Sequence, residues 1–190
     1  MKLLLVRHGE CQANVDGIVA GSRNDSPLTA KGEQEAKAVG EQLAGSQIDA
    51  IVATPLQRSR RTAEIIRDLV APNLQVEIDP DFSELDVGDA TGLPLDQYFA
   101  KEKADKPIPH AETPEKILSR VQRGLNKLRQ TSGTTLLVSH NGTCRMIECA
   151  LHGWPADQFA DLPGLQNGEV KEFTLWPTPP SATHQIQSAS

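Results

Sequence analysis

A chain of 190 residues is long enough for one well-packed domain with a substantial core, and no break in composition calls for a second. Its formal charge of −6 supplies no face-wide basic excess, which argues against nucleic acid or an anionic membrane as partner, so any anion site must be local. Cys11, Cys144 and Cys149 cannot all pair and show no CxxC or Cys/His ligand spacing, so a reducing compartment is expected and a metal site is not.

Apolar runs suited to fully buried strands alternate with longer segments of helical period, the pattern of an α/β fold whose mostly parallel sheet is covered by helices. The first strand is expected at 3–6, where the run behind Lys2 stops at Arg7, far short of a secretory or membrane-spanning segment; a cytoplasmic protein is expected. A helix follows over 29–44 with Thr29 as N-cap, then a strand at 50–53 and a helix over 55–70 with Pro55 in its first turn. A strand at 75–78 precedes the segment "GLPLDQYFAKEKADKPIPHAET", residues 92–113, which reads as a short lid-like insertion over the sheet edge. Thr113 caps a helix over 114–129, a strand lies at 135–139, and a helix over 143–151 ends before Gly153. A last strand is expected at 170–176, which closes a single domain over 1–176; residues 177–190 lack the apolar side chains to pack and are expected to be disordered.

Two of these strands end alike. "LLLVRHG" delivers Arg7, His8 and Gly9, and "TLLVSHNG" delivers Ser139, His140, Asn141 and Gly142. The carboxyl ends of parallel strands line the ligand crevice of open α/β sheets, so both imidazoles are predicted at one rim. A third rim position comes from "DAIVATPLQRSRRTAEII", where Arg58 falls in the first turn of a helix that follows a buried strand. An arginine fork beside a helix N-terminus suits a dianion, whereas Arg60 and Arg61 read as a solvated face.

These motifs resemble the histidine phosphatase superfamily, in the branch that includes the cofactor-dependent phosphoglycerate mutases and related small-molecule phosphatases. The match runs through Arg7-His8-Gly9-Glu10 with Asn14, "DSPLTAKGEQEA" from Asp25, "TPLQRSRRTA" with Arg58, "SELDVGDATG" with Glu84, and "VSHNGTCR" with His140. It spans about residues 1 to 176, in the family's order and spacing. The resemblance implies a three-layer α/β/α fold with a mostly parallel central sheet and a phosphomonoesterase that acts on a small phosphorylated metabolite.

The chemistry accounts for the residue types. A phosphomonoester repels nucleophiles through its own negative charge, so its hydrolysis calls for cations around the oxygens and an uncharged nucleophile in line with the leaving group. His8 is expected to attack through one ring nitrogen while the other donates to a backbone carbonyl, giving a phosphohistidine. Arg7 and Arg58 clamp the equatorial oxygens, Asn14 and the backbone N–H of Asn141 add donors, and His140 donates as an imidazolium. Glu84 protonates the leaving alkoxide, with Asp81, Asp86 and Asp89 as sequence rivals that the family spacing sets aside. Glu10 is expected to orient its loop. No cofactor or metal is called for, and the expected partner is the phosphomonoester substrate alone.

Some positions depart from the family pattern. Cys11 stands where Ser or Thr is usual, which replaces a hydroxyl contact to phosphate by a weak thiol donor; Ser22 and Arg23 put a substrate-side backbone contact in doubt. Ala90 falls where an aromatic is frequent. "HAET" keeps Glu112 and offers His110 as a substrate contact. The insertion contains only Lys101, Lys103 and Lys106 where mutases carry an arginine pair, which favours hydrolysis over phosphoryl transfer between hydroxyls. The rivals are phosphoglycerate mutase-type transfer, a magnesium-assisted Asp79 nucleophile in "VEIDPDFS", and a phosphoryl-binding module without turnover.

Overall fold

The sheet is built on strand β1, Lys2–Arg7, whose four central side chains are at most 4 % exposed. Burying each of those leucines and the valine contributes about 1.5–3 kcal/mol, enough to fix the strand as the axis of the fold. In the computed structural model, which describes residues 1–103 and 107–176, β1 is followed by β2 (Ala50–Ala53), β3 (Val76–Ile78), β4 (Thr134–Ser139) and β5 (Val170–Thr174). The sheet order is β3-β2-β4-β1-β5; only β5 runs antiparallel to its neighbour.

Side chains alternate between the two faces, so β1 feeds two cores at once. Leu3 and Leu5 join Val52 and Leu137 against the helices α5 (Pro114–Leu128) and α6 (Asn141–His152). Leu4 and Val6 join Ile51, Leu136 and Val138 against α2 (Ala30–Gln42) and α3 (Gln57–Val70), a three-layer α/β/α arrangement. The short helix α1 (Gln12–Val15) and the helix α4 (Leu95–Lys103) lie in the connections.

Helix starts follow local chemistry. The Thr29 hydroxyl accepts from the Gly32 N–H, Thr113 accepts from the Lys116 N–H, and Gly153 closes α6 in the left-handed region at φ 70°. Most boundaries shift by one or two residues from the sequence expectation, and two of the shifts have a plain cause. α3 begins at Gln57, because Thr54-Pro55-Leu56 is spent on the bend out of β2, with the Thr54 N–H donating to the Ser59 hydroxyl and the Leu56 N–H to the Thr54 hydroxyl. α6 begins at Asn141, because His140 is extended (φ −127°, ψ 164°) and its carbonyl already accepts the Cys144 N–H at 2.7 Å. The insertion holds α4, which the mixed charge of its sequence did not announce. Residues 177–190, expected to be disordered, lie outside the described residues, as does Lys106.

Candidate active site

Register brings the two strand-end histidines together. β1 and β4 pair in parallel with Arg7 opposite Ser139, so the next residues, His8 and His140, emerge side by side; the His8 N–H donates to the Ser139 carbonyl at 3.0 Å. Their ring centroids are 5.1 Å apart. β2 flanks β4 on its other side, and the residue after it, Thr54, places its hydroxyl 2.9 Å from His140 Nε2. Three adjacent parallel strands thus end in one polar row.

Gly9 has a steric reason to follow His8. A Cβ there would lie 2.3 Å from the Gly32 carbonyl oxygen, and one on Gly32 would lie 2.0 Å from the Glu10 carbonyl oxygen. Two glycines let the loop after β1 lie directly on the first turn of α2. Glu10 holds that contact, its carboxylate accepting from the Thr29 hydroxyl and Lys31 Nζ, as expected of a loop-orienting residue.

His8 Nδ1 lies 2.7 Å from the Gly9 carbonyl oxygen, which can only accept, so Nδ1 carries the proton and Nε2 keeps its lone pair. Burial first, and then the Arg58 and Arg7 guanidiniums, hold this imidazole well below its ordinary value of 6.5. The same burial and Arg58, followed by His8, Arg120 and Arg7, hold His140 well below that value. The same cations oppose the expected imidazolium, which a bound phosphate would have to hold.

Arg58 is 1 % exposed. Its guanidinium donates to the Asn24 and Gly21 carbonyls at 2.8 and 2.9 Å, and Arg7 donates to the Leu165 carbonyl at 2.7 Å. Among the described residues no carboxylate lies within ion-pair distance of either arginine. A buried Arg58 and a part-buried Arg7, both donating to neutral carbonyls, leave positive charge for an anion. Asn14 Oδ1 accepts from the Cys11 N–H and thiol, which leaves its NH2 as the group available toward the cavity. The Cys11 thiol is engaged with that side chain, where a phosphate contact had been considered.

Glu84 lies at the start of α6. Its carboxylate accepts from the Leu85 N–H at 3.0 Å, the Thr143 N–H at 3.2 Å and the Gly142 N–H at 3.4 Å. A Cβ on Gly142 would meet Glu84 Oε1 at 2.9 Å, so glycine keeps this approach open. The rival carboxylates are spent elsewhere: Asp81 on Arg123 and Lys127, Asp86 on Arg23, and Asp89 on His110. Asp79, the alternative nucleophile, faces Lys127 and caps the turn at Asp81.

Arg7, His8, Asn14, Arg58, Glu84 and Asn141 line one cavity, open to solvent at its mouth, with His140 against His8 behind it. Its outer wall is apolar, from Ile18, Leu85 and Val87 and from Leu95, Tyr98 and Phe99 of α4. His110 does not line it; this side chain is exposed, sits at φ 60° and faces Asp89, which corrects its reading as a substrate contact. The Ser22 N–H is occupied by the Leu85 carbonyl, and Lys101 is exposed outside the cavity wall.

Two residues that brace the loops of the site escaped the sequence reading. Arg120, 9 % exposed, pairs with Glu112 through two N–H groups and donates to the Asp81 and Ser83 carbonyls, which braces the loop that carries Glu84. Asn167 Nδ2 donates to the His8 carbonyl at 2.9 Å and steadies the loop after β1. Neither lies near a motif in sequence, and only the charge of Arg120 on the apolar face of α5 offered a signal.

Comparison with known proteins agrees with this geometry. The model of the histidine phosphatase superfamily, branch 1, matches residues 3–184. The uncharacterized phosphatase PhoE of Bacillus subtilis is 38 % identical over 151 residues, which cover 78 % of this chain and 76 % of that one. The protein named "Probable phosphoglycerate mutase GpmB" of Enterobacter sp. is 35 % identical over 168 residues, covering 82 % and 77 %. The crystal structure of the alpha-ribazole phosphatase from Shigella flexneri superposes with a TM-score of 0.77 at 29 % identity, covering 90 % of this chain and 89 % of that one. None of the described helices is long and apolar enough to cross a membrane. Sheet order, the paired strand-end histidines and these matches together place the chain in branch 1 of the histidine phosphatase superfamily.

Proposed function

We propose that the protein is a metal-independent phosphomonoesterase that hydrolyses a small phosphorylated metabolite through a phosphohistidine on His8. The observation that carries this reading is the neutral His8, pinned through Nδ1 at 2.7 Å to the Gly9 carbonyl, in a cavity with a buried Arg58 that has no carboxylate partner among the described residues. Nε2 attacks phosphorus, the bond from phosphorus to the leaving oxygen breaks, and the electron pair departs with that oxygen. Arg7 and Arg58 balance the phosphoryl charge, with the Asn14 amide, the Asn141 N–H and His140 as further donors. His140 Nε2 lies 2.9 Å from the Thr54 hydroxyl, a group that can donate or accept.

Glu84 supplies the proton to the leaving alkoxide. The N–H groups of Leu85, Gly142 and Thr143 suit the carboxylate that remains, and the positive end of α6 adds to them. Water then attacks phosphorus and gives its proton to Glu84, and the P–N bond breaks with its electron pair returning to Nε2. The guanidiniums supply positive charge of the kind that metal ions provide in other phosphoryl-transfer sites, which is why a metal-independent reaction is proposed.

One assay tests this: hydrolysis of an aryl phosphate with excess chelator by the wild type and by His8→Ala. The expected result is turnover that survives the chelator and vanishes in His8→Ala, with a trapped phosphoenzyme that is acid-labile and base-stable. Turnover that is lost with chelator and kept in His8→Ala overturns the mechanism. A lack of turnover across a broad phosphomonoester panel favours the binding module, and transfer to a second hydroxyl favours the mutase reading that the name of the GpmB relatives raises.

A further inference from the structure

A third arginine lines the cavity. Arg145 lies one helical turn beyond Asn141, and residues four apart share a helix face, so both side chains border the same space. The segment behind them holds both in place. Arg145 donates one N–H to the Ala160 carbonyl at 3.2 Å, with its guanidinium 5.5 Å from the centre of the Phe159 ring. Asn141 lies against Gly164, where a Cβ would come within 2.2 Å of its Oδ1. Buried Arg145 Nε and Asn141 Oδ1 have no partner among the described residues.

Charge then discriminates between roles. Arg7 and Arg58 together match a phosphomonoester dianion, and Glu84 is turned onto the Leu85, Gly142 and Thr143 N–H groups. Arg145 remains as surplus positive charge, with no carboxylate in ion-pair range among the described residues; its helix neighbour Glu148 is taken by Lys171 at 2.7 Å. A guanidinium fixed in place and lacking an anion is preorganised for one. Across the mouth, Leu95 and Phe99 occupy the same face of α4, 41 % and 49 % exposed, and line the same cavity. A leaving group there meets an apolar wall on one side and a cation on the other.

We propose that Arg145 is a specificity-determining residue that binds an anionic group on the leaving alcohol, so that the preferred substrates are phosphomonoesters whose apolar or ring-bearing alcohol also carries a carboxylate. This inference rests on the phosphomonoesterase reading above. The test compares kcat/KM for phenyl phosphate and 3-carboxyphenyl phosphate, whose leaving phenols differ little in basicity, in the wild type, Arg145→Lys and Arg145→Met.

The wild type should favour the carboxylated ester by about 10-fold or more, as a charge-assisted contact would give. Arg145→Met keeps an apolar stem against Phe159 and should bring that ratio to about one or below, with Arg145→Lys between the two. A wild type that hydrolyses both esters equally overturns the inference and leaves the phosphomonoesterase reading standing. So does an Arg145→Met that slows both esters by one factor, the outcome of a clamp on Ala160 alone. Failure of the wild type to hydrolyse either ester, with no phosphohistidine formed, strikes the underlying reading instead.

Discussion

The two ends of the cavity are built by different means. The phosphate end is assembled from strand termini: His8, Thr54 and His140 follow three adjacent parallel strands, and Arg58 is held by two backbone carbonyls at 1 % exposure. The leaving-group end is assembled from connections: α4 supplies Leu95 and Phe99, each more than 40 % exposed, and the segment around Phe159 and Gly164 backs Arg145 and Asn141. A sheet with hydrogen bonds on both sides holds reacting groups to fractions of an ångström, whereas a surface helix with a half-exposed face can change sequence without disturbing the core. On the proposed function, chemistry and selectivity are separable, and variants at the two ends should separate them.

The largest effect is expected at the phosphate end. His8→Ala should lower kcat by at least about 10³-fold and abolish radiolabelled phosphoenzyme, while far-UV circular dichroism stays that of the wild type. A phosphoenzyme retained in that variant would move the nucleophile elsewhere. Arg58→Met should weaken vanadate or phosphate inhibition and kcat/KM together by about 10²- to 10³-fold, the scale of losing one preorganised donor set.

Between the two ends stands Arg120, which touches the Glu84 loop from below. Arg120→Met leaves Glu112 and the Asp81 and Ser83 carbonyls without their donor and should destabilise the protein by about 2–3 kcal/mol in urea titration. If it positions Glu84 as argued, kcat for a poor leaving group, an alkyl phosphate, falls further than kcat for 4-nitrophenyl phosphate, which needs no proton. Equal losses would make Arg120 a structural brace only.

The depressed imidazoles predict a pH dependence with a definite sign. Above their ordinary value of 6.5 neither His8 nor His140 is protonated in the folded or the unfolded chain, and they add nothing to the slope. As pH falls below 6.5 the unfolded chain takes up protons that the folded site refuses, so stability declines until the folded values are reached. Urea midpoints between pH 7.5 and 5.5 measure this; His140→Asn should flatten the dependence. The smallest effect belongs to the mouth: Phe99→Ser should change stability by no more than about 0.5 kcal/mol and raise KM for aryl phosphates a few-fold. Loss of phosphoenzyme in Phe99→Ser would break the separation between the two ends.

Much of the phosphate end was legible in the chain. The runs ending in Arg7-His8-Gly9 and Ser139-His140 mark strands by their apolar side chains and a rim by their abrupt polar ends, because a strand buried on both faces must emerge before it can carry a charge. Arg58 was found by its place just after a buried strand, at the first turn of α3. His110 was misread because a histidine near a family carboxylate looks like a ligand-binding residue until the fold turns it toward Asp89. The charge of His140 depends on burial as well as on the surrounding guanidiniums, and burial is not local in sequence. α4 escaped because its apolar residues face a cavity and solvent, which leaves a weaker periodic signal than packing on a core does.

The sequence by itself determined the alternation of strand and helix, the caps at Thr29 and Thr113, and the identity of the groups at the strand ends, since these depend on side chains a few residues apart. Only the tertiary structure decided that β1 and β4 are neighbours in register, which puts two histidines from opposite ends of the chain 5.1 Å apart. The same holds for the bracing of Glu84 by Arg120 and for Arg145 facing the cavity without a carboxylate partner among the described residues. Strand order and long-range polar contacts arise when distant segments bury their apolar faces together, and no short stretch of sequence carries that information.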